Sequence, residues 1–206
     1  MIILSYNVRG LGGGVKWRAI KDLIARERVE MVLLQETKLQ VVDQRQCVSL
    51  WGDSNCDWRY TPAVNSSGGL LCIWSKDAFT IQNCVLGQNF ILLAGLWKER
   101  ANNCVIVNVY APCDLEAKRE LWRGIQDLKQ ICPVASWCIG GDFNAVRTSL
   151  ERRGEAISQT YGRRESDEFN SFIIQMELFD IPILGKRFKW FRPNGKAMSR
   201  LDRFLI

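Results

Sequence analysis

Apolar and polar positions alternate along this chain in blocks that change period, and the blocks predict its elements. Residues 2 to 8, IILSYNV, form a short branched run closed by Arg9-Gly10-Leu11-Gly12-Gly13-Gly14, the pattern of a strand running into a turn. Trp17, Ile20, Leu23 and Ile24 then recur at helical spacing, which predicts an amphipathic helix from Val15 to about Arg28. Met31 to Leu34 make a second apolar strand that runs straight into Gln35-Glu36-Thr37. From 40 to 68 the pattern weakens to a helical spacing over Gln44 to Trp51 and a turn cluster, Asn65-Ser66-Ser67-Gly68-Gly69.

From Leu70 onward the period shortens and no helix intervenes. Leu70 to Trp74, Phe79 to Leu86, Phe90 to Trp97 and Cys104 to Tyr110 read as strands joined by short turns, so successive strands are expected to pair antiparallel. A pure βαβ repeat is thereby excluded. Glu116 to Ile131 follows as a helix with Leu121, Ile125 and Leu128 on one face, then a strand over Val134 to Ile139. Phe169, Phe172, Ile173 and Met176 mark a further helix. Phe188 to Phe191 and Leu201 to Ile206 read as two last strands, connected by Arg192-Pro193-Asn194-Gly195.

Chemistry concentrates where apolar runs end. In Ser136 to Arg147, SWCIGGDFNAVR, a buried strand ending in Asp142-Phe143-Asn144 would place Asp142 and Asn144 on one side, since side chains alternate with period two. Gly140 and Gly141 clear the space just before them. Asn7, Glu36 and Tyr110 stand at other strand ends. Any strand end can return to polar residues; the agreement of four suggests one shared cleft. Glu36 and Asp142 offer oxygen ligands, which point to a hard ion, magnesium or manganese.

Composition narrows the class. With 206 residues, 47% of them hydrophobic, and no Pro/Gly/Ser-rich linker, residues 1–206 read as a single domain. No leader or apolar stretch of membrane-spanning length is visible, so the expectation is an intracellular protein, nuclear or cytoplasmic, without a membrane partner. The eight cysteines form no CxxC pair and there is no histidine, which argues against zinc and for reduced, buried thiols. The net charge of +6 sits in Lys186 to Arg203, where seven basic residues face Asp202 alone. Interleaved with Phe188, Trp190 and Phe191, this segment suits phosphates and bases; the alternative is a solvated basic loop. A hard ion beside such a surface suits phosphodiester hydrolysis.

SYNVRGLGG, LLQETK, VNVYAP, IGGDFNAVR, FKW and SRLDRFLI, in this order, resemble the endonuclease/exonuclease/phosphatase family. More narrowly, NVRGLG, GGDFNAVR and SRLDRFLI resemble the endonuclease domain of plant LINE-type non-LTR retrotransposons, associated with a reverse transcriptase. The resemblance implies a two-sheet α/β sandwich of deoxyribonuclease I type, with mixed, mostly antiparallel strands and outer helices. It implies a magnesium-dependent endonuclease that nicks DNA. Glu36 and Asn7 match the metal-pocket residues, Asp142 the aspartate that activates water, and Asn144 the amide on the scissile phosphate. Tyr110 matches the tyrosine at the phosphate or leaving group, and Asp202 the partner of a catalytic histidine. Arg147, Lys189, Arg192 and Arg200 are the expected substrate contacts. Trp190 falls where relatives carry a core aromatic.

Departures accompany the match. Relatives continue through another strand to a Ser-Asp-His motif, whereas this sequence has no histidine and stops at Ile206, so it reads as truncated and its catalysis as impaired. Arg9 stands where abasic-site repair relatives carry an acid, which leans away from that branch. The alternative is a non-catalytic nucleic-acid-binding or scaffold domain using the basic segment. A lipid or inositol phosphate phosphatase is disfavoured by the NVRGLG and SRLDRF forms.

Overall fold

The computed structural model of the protein describes residues 1–12, 14–65, 67–132, 135–154, 159–185, 188, 190–191 and 197–206. The chain separates into two compact units, Met1–Tyr110 with Val134–Gly141, and Ala111–Pro133 with Asp142–Ile206.

The first unit holds two sheets. In one, β1 (Ile3–Asn7) lies parallel to β2 (Met31–Gln35), with α1 (Gly14–Glu27) as the crossover that a parallel pair requires. α2 (Gln44–Trp51) starts with a reciprocal cap, Asp43 Oδ1 accepting from the Gln46 N–H while the Gln46 side chain accepts from the Asp43 N–H. β3 (Cys56–Val64) and β4 (Ser67–Ser75) complete the sheet in the order β1-β2-β4-β3. Val32, Leu34, Leu71 and Ile73 turn to the helices and pack with Ile20 and Ile24 of α1 and Cys47 and Leu50 of α2. Residues of the opposite parity on β2, Leu33 and Gln35, face the other way and are fully buried too.

The second sheet consists, in this unit, of β5 (Phe79–Leu86), β6 (Phe90–Trp97), β7 (Asn102–Tyr110) and β8 (Ser136–Asp142), in the order β8-β7-β6-β5. β5, β6 and β7 pair antiparallel as expected, but β4 does not pair with β5. Both hydrogen-bonding edges of β4 are taken, one by β2 and one by β3, so the chain must change sheets through Lys76-Asp77-Ala78. β3 is the strand that periodicity missed. Its partly exposed face, where Arg59 reaches over the Trp74 ring at 5.8 Å, breaks the simple alternation.

In the second unit α3 (Leu115–Ile131) begins at Asp114, whose carboxylate accepts from the Ala117 N–H, and packs on α4 (Gln159–Gln175). Trp122 stacks on Phe172 with ring centroids 4.5 Å apart, and Phe143 and Phe169 close the cluster at 5.3 Å from each other. β9 (Arg152–Arg153), β10 (Trp190–Phe191) and β11 (Met198–Ser199) form a small antiparallel sheet in the order β10-β11-β9. β12 (Asp202–Leu205) meets residue 180 through an antiparallel bridge, Asp180 to Leu205. The connection expected over Arg192-Pro193-Asn194-Gly195 lies outside the described residues. No described helix is long and apolar enough to cross a membrane.

Candidate active site

In the first unit Asn7 and Glu36 leave adjacent parallel strands. Asn7 is the register partner of Gln35, and Glu36 follows at once with a left-handed backbone (φ 54°). That turn is pinned by backbone bonds: Gly10 N–H to Glu36 O at 2.7 Å, Leu11 N–H to Thr37 O at 2.8 Å, and Thr37 N–H to Gly69 O at 3.0 Å. The Glu36 side chain keeps a fifth of its surface exposed, and the Lys38 ammonium sits 3.3 Å from Oε1. Asn7 Oδ1 accepts from the Arg9 N–H at 3.1 Å. The Lys16 ammonium donates to the carbonyls of Val8, Arg9 and Gly10, which ties the loop after β1 to α1. Tyr110 ends β7, its backbone N–H and C=O bonded to the carbonyl and the side-chain amide of Asn89.

One carboxylate and one amide oxygen on neighbouring strand ends are the donor set of an ion that keeps most of its water and binds a substrate phosphate. Among the described residues no cluster of three acids, thiols or imidazoles exists that would cage a metal. Asn7 and Glu36 offer oxygen donors, the type that suits a hard ion such as magnesium or manganese.

In the second unit the Asp142/Asn144 pair comes together differently from the sequence expectation. β8 stops at Asp142, and Asn144 lies beyond it in a left-handed turn (φ 47°) rather than on the strand. The carboxylate makes the juxtaposition itself, Asp142 Oδ1 accepting the Asn144 N–H at 3.0 Å. Asn144 Nδ2 donates to Ala111 O at 2.7 Å, and the Ala111 N–H donates to Asp142 O at 2.8 Å, so the start of the α3 segment and the turn interlock. Phe143, between the two polar residues, is buried in the aromatic cluster. Asp142 is only 5% exposed.

The basic residues expected to meet substrate divide. Lys189 and Arg192 lie outside the described residues, as do Lys186, Arg187 and Lys196. Arg200 donates to Glu151 Oε1 at 3.1 Å and Asp180 Oδ1 at 2.8 Å. Arg147 donates to Asn170 Oδ1 at 2.9 Å and approaches Asp180 Oδ2 at 3.5 Å. Arg203, fully buried, completes the network with Glu151 Oε2 at 2.5 Å and Asp180 Oδ2 at 2.7 Å, its guanidinium 5.6 Å from the Phe169 ring. Burial pushes the Glu151 carboxyl up, but the Arg203 hydrogen bond, the Arg147 N–H and the charges of Arg203 and Arg200 together hold it below its ordinary value. Asp202 opens β12 and is partly buried.

Sequence reasoning passed over Asn108, Lys118 and Glu165, and read Gln35 only as the residue before Glu36 and Arg203 only as part of the basic segment. Two of these carried a visible signal. Lys118 falls three residues before Leu121 and seven before Ile125, on the apolar face of α3, and Asn108 is the one amide inside the run CVIVNVY.

The chain belongs to the Endonuclease/Exonuclease/phosphatase family, whose model matches residues 4–206. Its fold is the two-sheet α/β sandwich of deoxyribonuclease I type. Similar solved structures include the AP endonuclease LMAP from Leishmania major, at TM-score 0.78 and 16% identity over 98% of this chain and 78% of that one. The endonuclease domain of TRAS1, a telomere-specific non-LTR retrotransposon, matches at TM-score 0.65 and 13% identity over 98% of this chain and 83% of that domain. Craniofacial development protein 2 of Bos taurus is 23% identical over 215 residues, covering 96% of this chain. The chain spans about a third (34%) of the length of that curated relative.

Proposed function

We propose that the chain is a phosphodiester hydrolase of the endonuclease type, acting on DNA with a divalent cation, and that it descends from the LINE-type retrotransposon branch. The observation that carries the reading is the Asp142–Asn144 turn: a nearly buried carboxylate fixed to the backbone N–H of an asparagine, directly after two glycines. A carboxylate so placed can take a proton from an attacking water while the Asn144 amide holds a phosphate oxygen. Glu36 and Asn7 would hold magnesium or manganese, which when bound neutralises phosphate charge. Tyr110 would contact the phosphate or leaving group. Of the expected substrate contacts, Arg147 keeps about a third of its side chain exposed for a phosphate, whereas Arg200 is largely engaged by Glu151 and Asp180.

The 206 residues contain no histidine, so hydrolysis by these residues would proceed without the imidazole that the family resemblance implies. Loss of one acid/base or oxyanion group costs roughly 10² to 10⁴ in rate, so slow hydrolysis is the expectation for these residues alone. The same fact favours a second reading, nucleic-acid binding without chemistry. Nicking of supercoiled plasmid with and without magnesium, beside Asp142→Ala and Glu36→Ala, separates the two. Slow magnesium-dependent nicking lost in both variants supports the hydrolase; DNA retention on a filter without any nicking supports the binding domain.

A further inference from the structure

Lys118 is the least expected residue of α3. It is 1% exposed, on the helix face that also buries Leu115, Leu121, Trp122 and Ile125, where an apolar side chain would avoid the cost of desolvating an ammonium. Its Nζ has two partners. One is the Glu165 carboxylate of α4, itself 4% exposed; the other is the backbone carbonyl of Asn144, at 2.6 Å. Glu165 is in turn approached by Arg152 at 3.6 Å.

Neutralising Glu165 would not require a bond to Asn144. That bond lands on a residue whose backbone is left-handed at φ 47°, a conformation that asparagine tolerates better than most side-chain-bearing residues and that its partners here hold in place. Three donor–acceptor contacts hold it here: the Asn144 N–H on Asp142 Oδ1, its side-chain amide on Ala111 O, and its carbonyl beneath the Lys118 ammonium. The first two are made by the pair that would do the chemistry. The third comes from outside it and, like the first, has a charged partner, here at the shorter distance of 2.6 Å.

We propose that the buried Lys118–Glu165 pair is a positioning device for the Asp142-Phe143-Asn144 turn. Glu165 holds the ammonium, the ammonium clamps the Asn144 carbonyl, and the clamp keeps the Asn144 N–H on the Asp142 carboxylate. Neither Lys118 nor Glu165 touches substrate in this account. The catalytic consequence rests on the hydrolase reading above; the structural claim, that the pair sets the turn, does not.

The test is Lys118→Met/Glu165→Leu, since replacing both members of a buried ion pair by apolar residues is commonly tolerated whereas removing one strands a charge. Folding is followed by thermal melting, and the turn by amide hydrogen exchange at Asn144. A pair that serves only itself predicts a folded double variant with unchanged Asn144 protection, and that result overturns the proposal. A positioning pair predicts a melting temperature close to the starting protein's but Asn144 exchange faster by about tenfold, the scale of one lost hydrogen bond. Should the apolar pair not fold, Lys118→Gln/Glu165→Gln, able to bond to itself but one atom too short to clamp Asn144, reads the same quantity. Nicking adds the second readout: kcat falls by roughly tenfold with KM for DNA unchanged. If the unaltered chain does not nick at all, the hydrolase reading fails, while Asn144 exchange still decides the positioning claim.

Discussion

Gln35 Nε2 stands 2.7 Å from Asn108 Oδ1, and both side chains are completely buried. The pair joins β2 of one sheet to β7 of the other, and Asn108 Nδ2 continues to the carbonyls of Leu34 at 3.1 Å and Leu71 at 3.3 Å. An amide bridge in the middle of an apolar sandwich resists sliding of the sheets against each other, because any other register breaks the Gln35–Asn108 bond. Gln35 is also the residue that hands the chain to Glu36.

Asn108→Leu is expected to lower stability by about 1 to 3 kcal/mol, since the Gln35 amide loses an acceptor without water to replace it. Urea denaturation measures this. A variant as stable as the parent would mean that the bridge contributes nothing net.

Gly141 precedes Asp142 with φ 147°, and a Cβ there would lie 2.0 Å from the Val109 carbonyl oxygen. Gly141→Ala therefore has to displace backbone and is expected to cost about 3 kcal/mol. Gly12→Ala, with nothing within 4 Å of the added carbon, serves as the control. Equal melting temperatures for the two variants would contradict the close approach.

Much of the sandwich was legible because its strands are short, apolar and separated by turn residues. Phe79–Leu86 and Phe90–Trp97 fall where periodicity puts them. Sheet membership was not legible: nothing in LLCIW reveals that β2 and β3 take both edges of β4. The candidate site was legible as residue types, through IGGDFN and LLQE, while its geometry was not. Strand alternation places Asp142 and Asn144 together for a reason that does not operate, since a carboxylate-to-backbone bond in a left-handed turn does so instead. Charge counting likewise sees Arg200 and Arg203 as part of a basic surface, because the acids that absorb them, Glu151 and Asp180, lie 52 and 23 residues from Arg203 along the chain.

Acid should loosen that network. The Glu151 carboxyl is held below its ordinary 4.5 in the folded chain. Its contribution to stability is thus full above the unfolded value and is lost as pH falls through the lower folded value. Thermal melting of Glu151→Gln is expected to vary less than the parent's from about pH 4.5 downward. Arg203→Met, which leaves two acids facing a vanished guanidinium, is expected to cost about 3 to 5 kcal/mol at neutral pH.

All eight cysteines are present as thiols, and five of them are buried. Burial pushes the Cys47 and Cys138 thiols up to about 12 and Cys104 to about 11, which leaves almost no thiolate near neutrality. Among the eight, Cys113 alone is exposed. Iodoacetamide at pH 8 should mark Cys113 first and reach Cys47, Cys72, Cys104 and Cys138 only in urea, as peptide mass mapping would read directly. Early labelling of Cys72 would place solvent where the sandwich has its centre.

Arg203 has a consequence for the order in which the protein comes into being. Its carboxylate partners are synthesised before it, so on the ribosome Glu151 and Asp180 emerge without the Arg203 guanidinium and stay hydrated. This network is completed only when residue 203 clears the exit tunnel, a distant loop closure. Until then a nascent chain shows water-loving acids where an apolar design would show a sticky, half-made core, and the waiting intermediate is protected from its neighbours by the charges that the finished fold conceals.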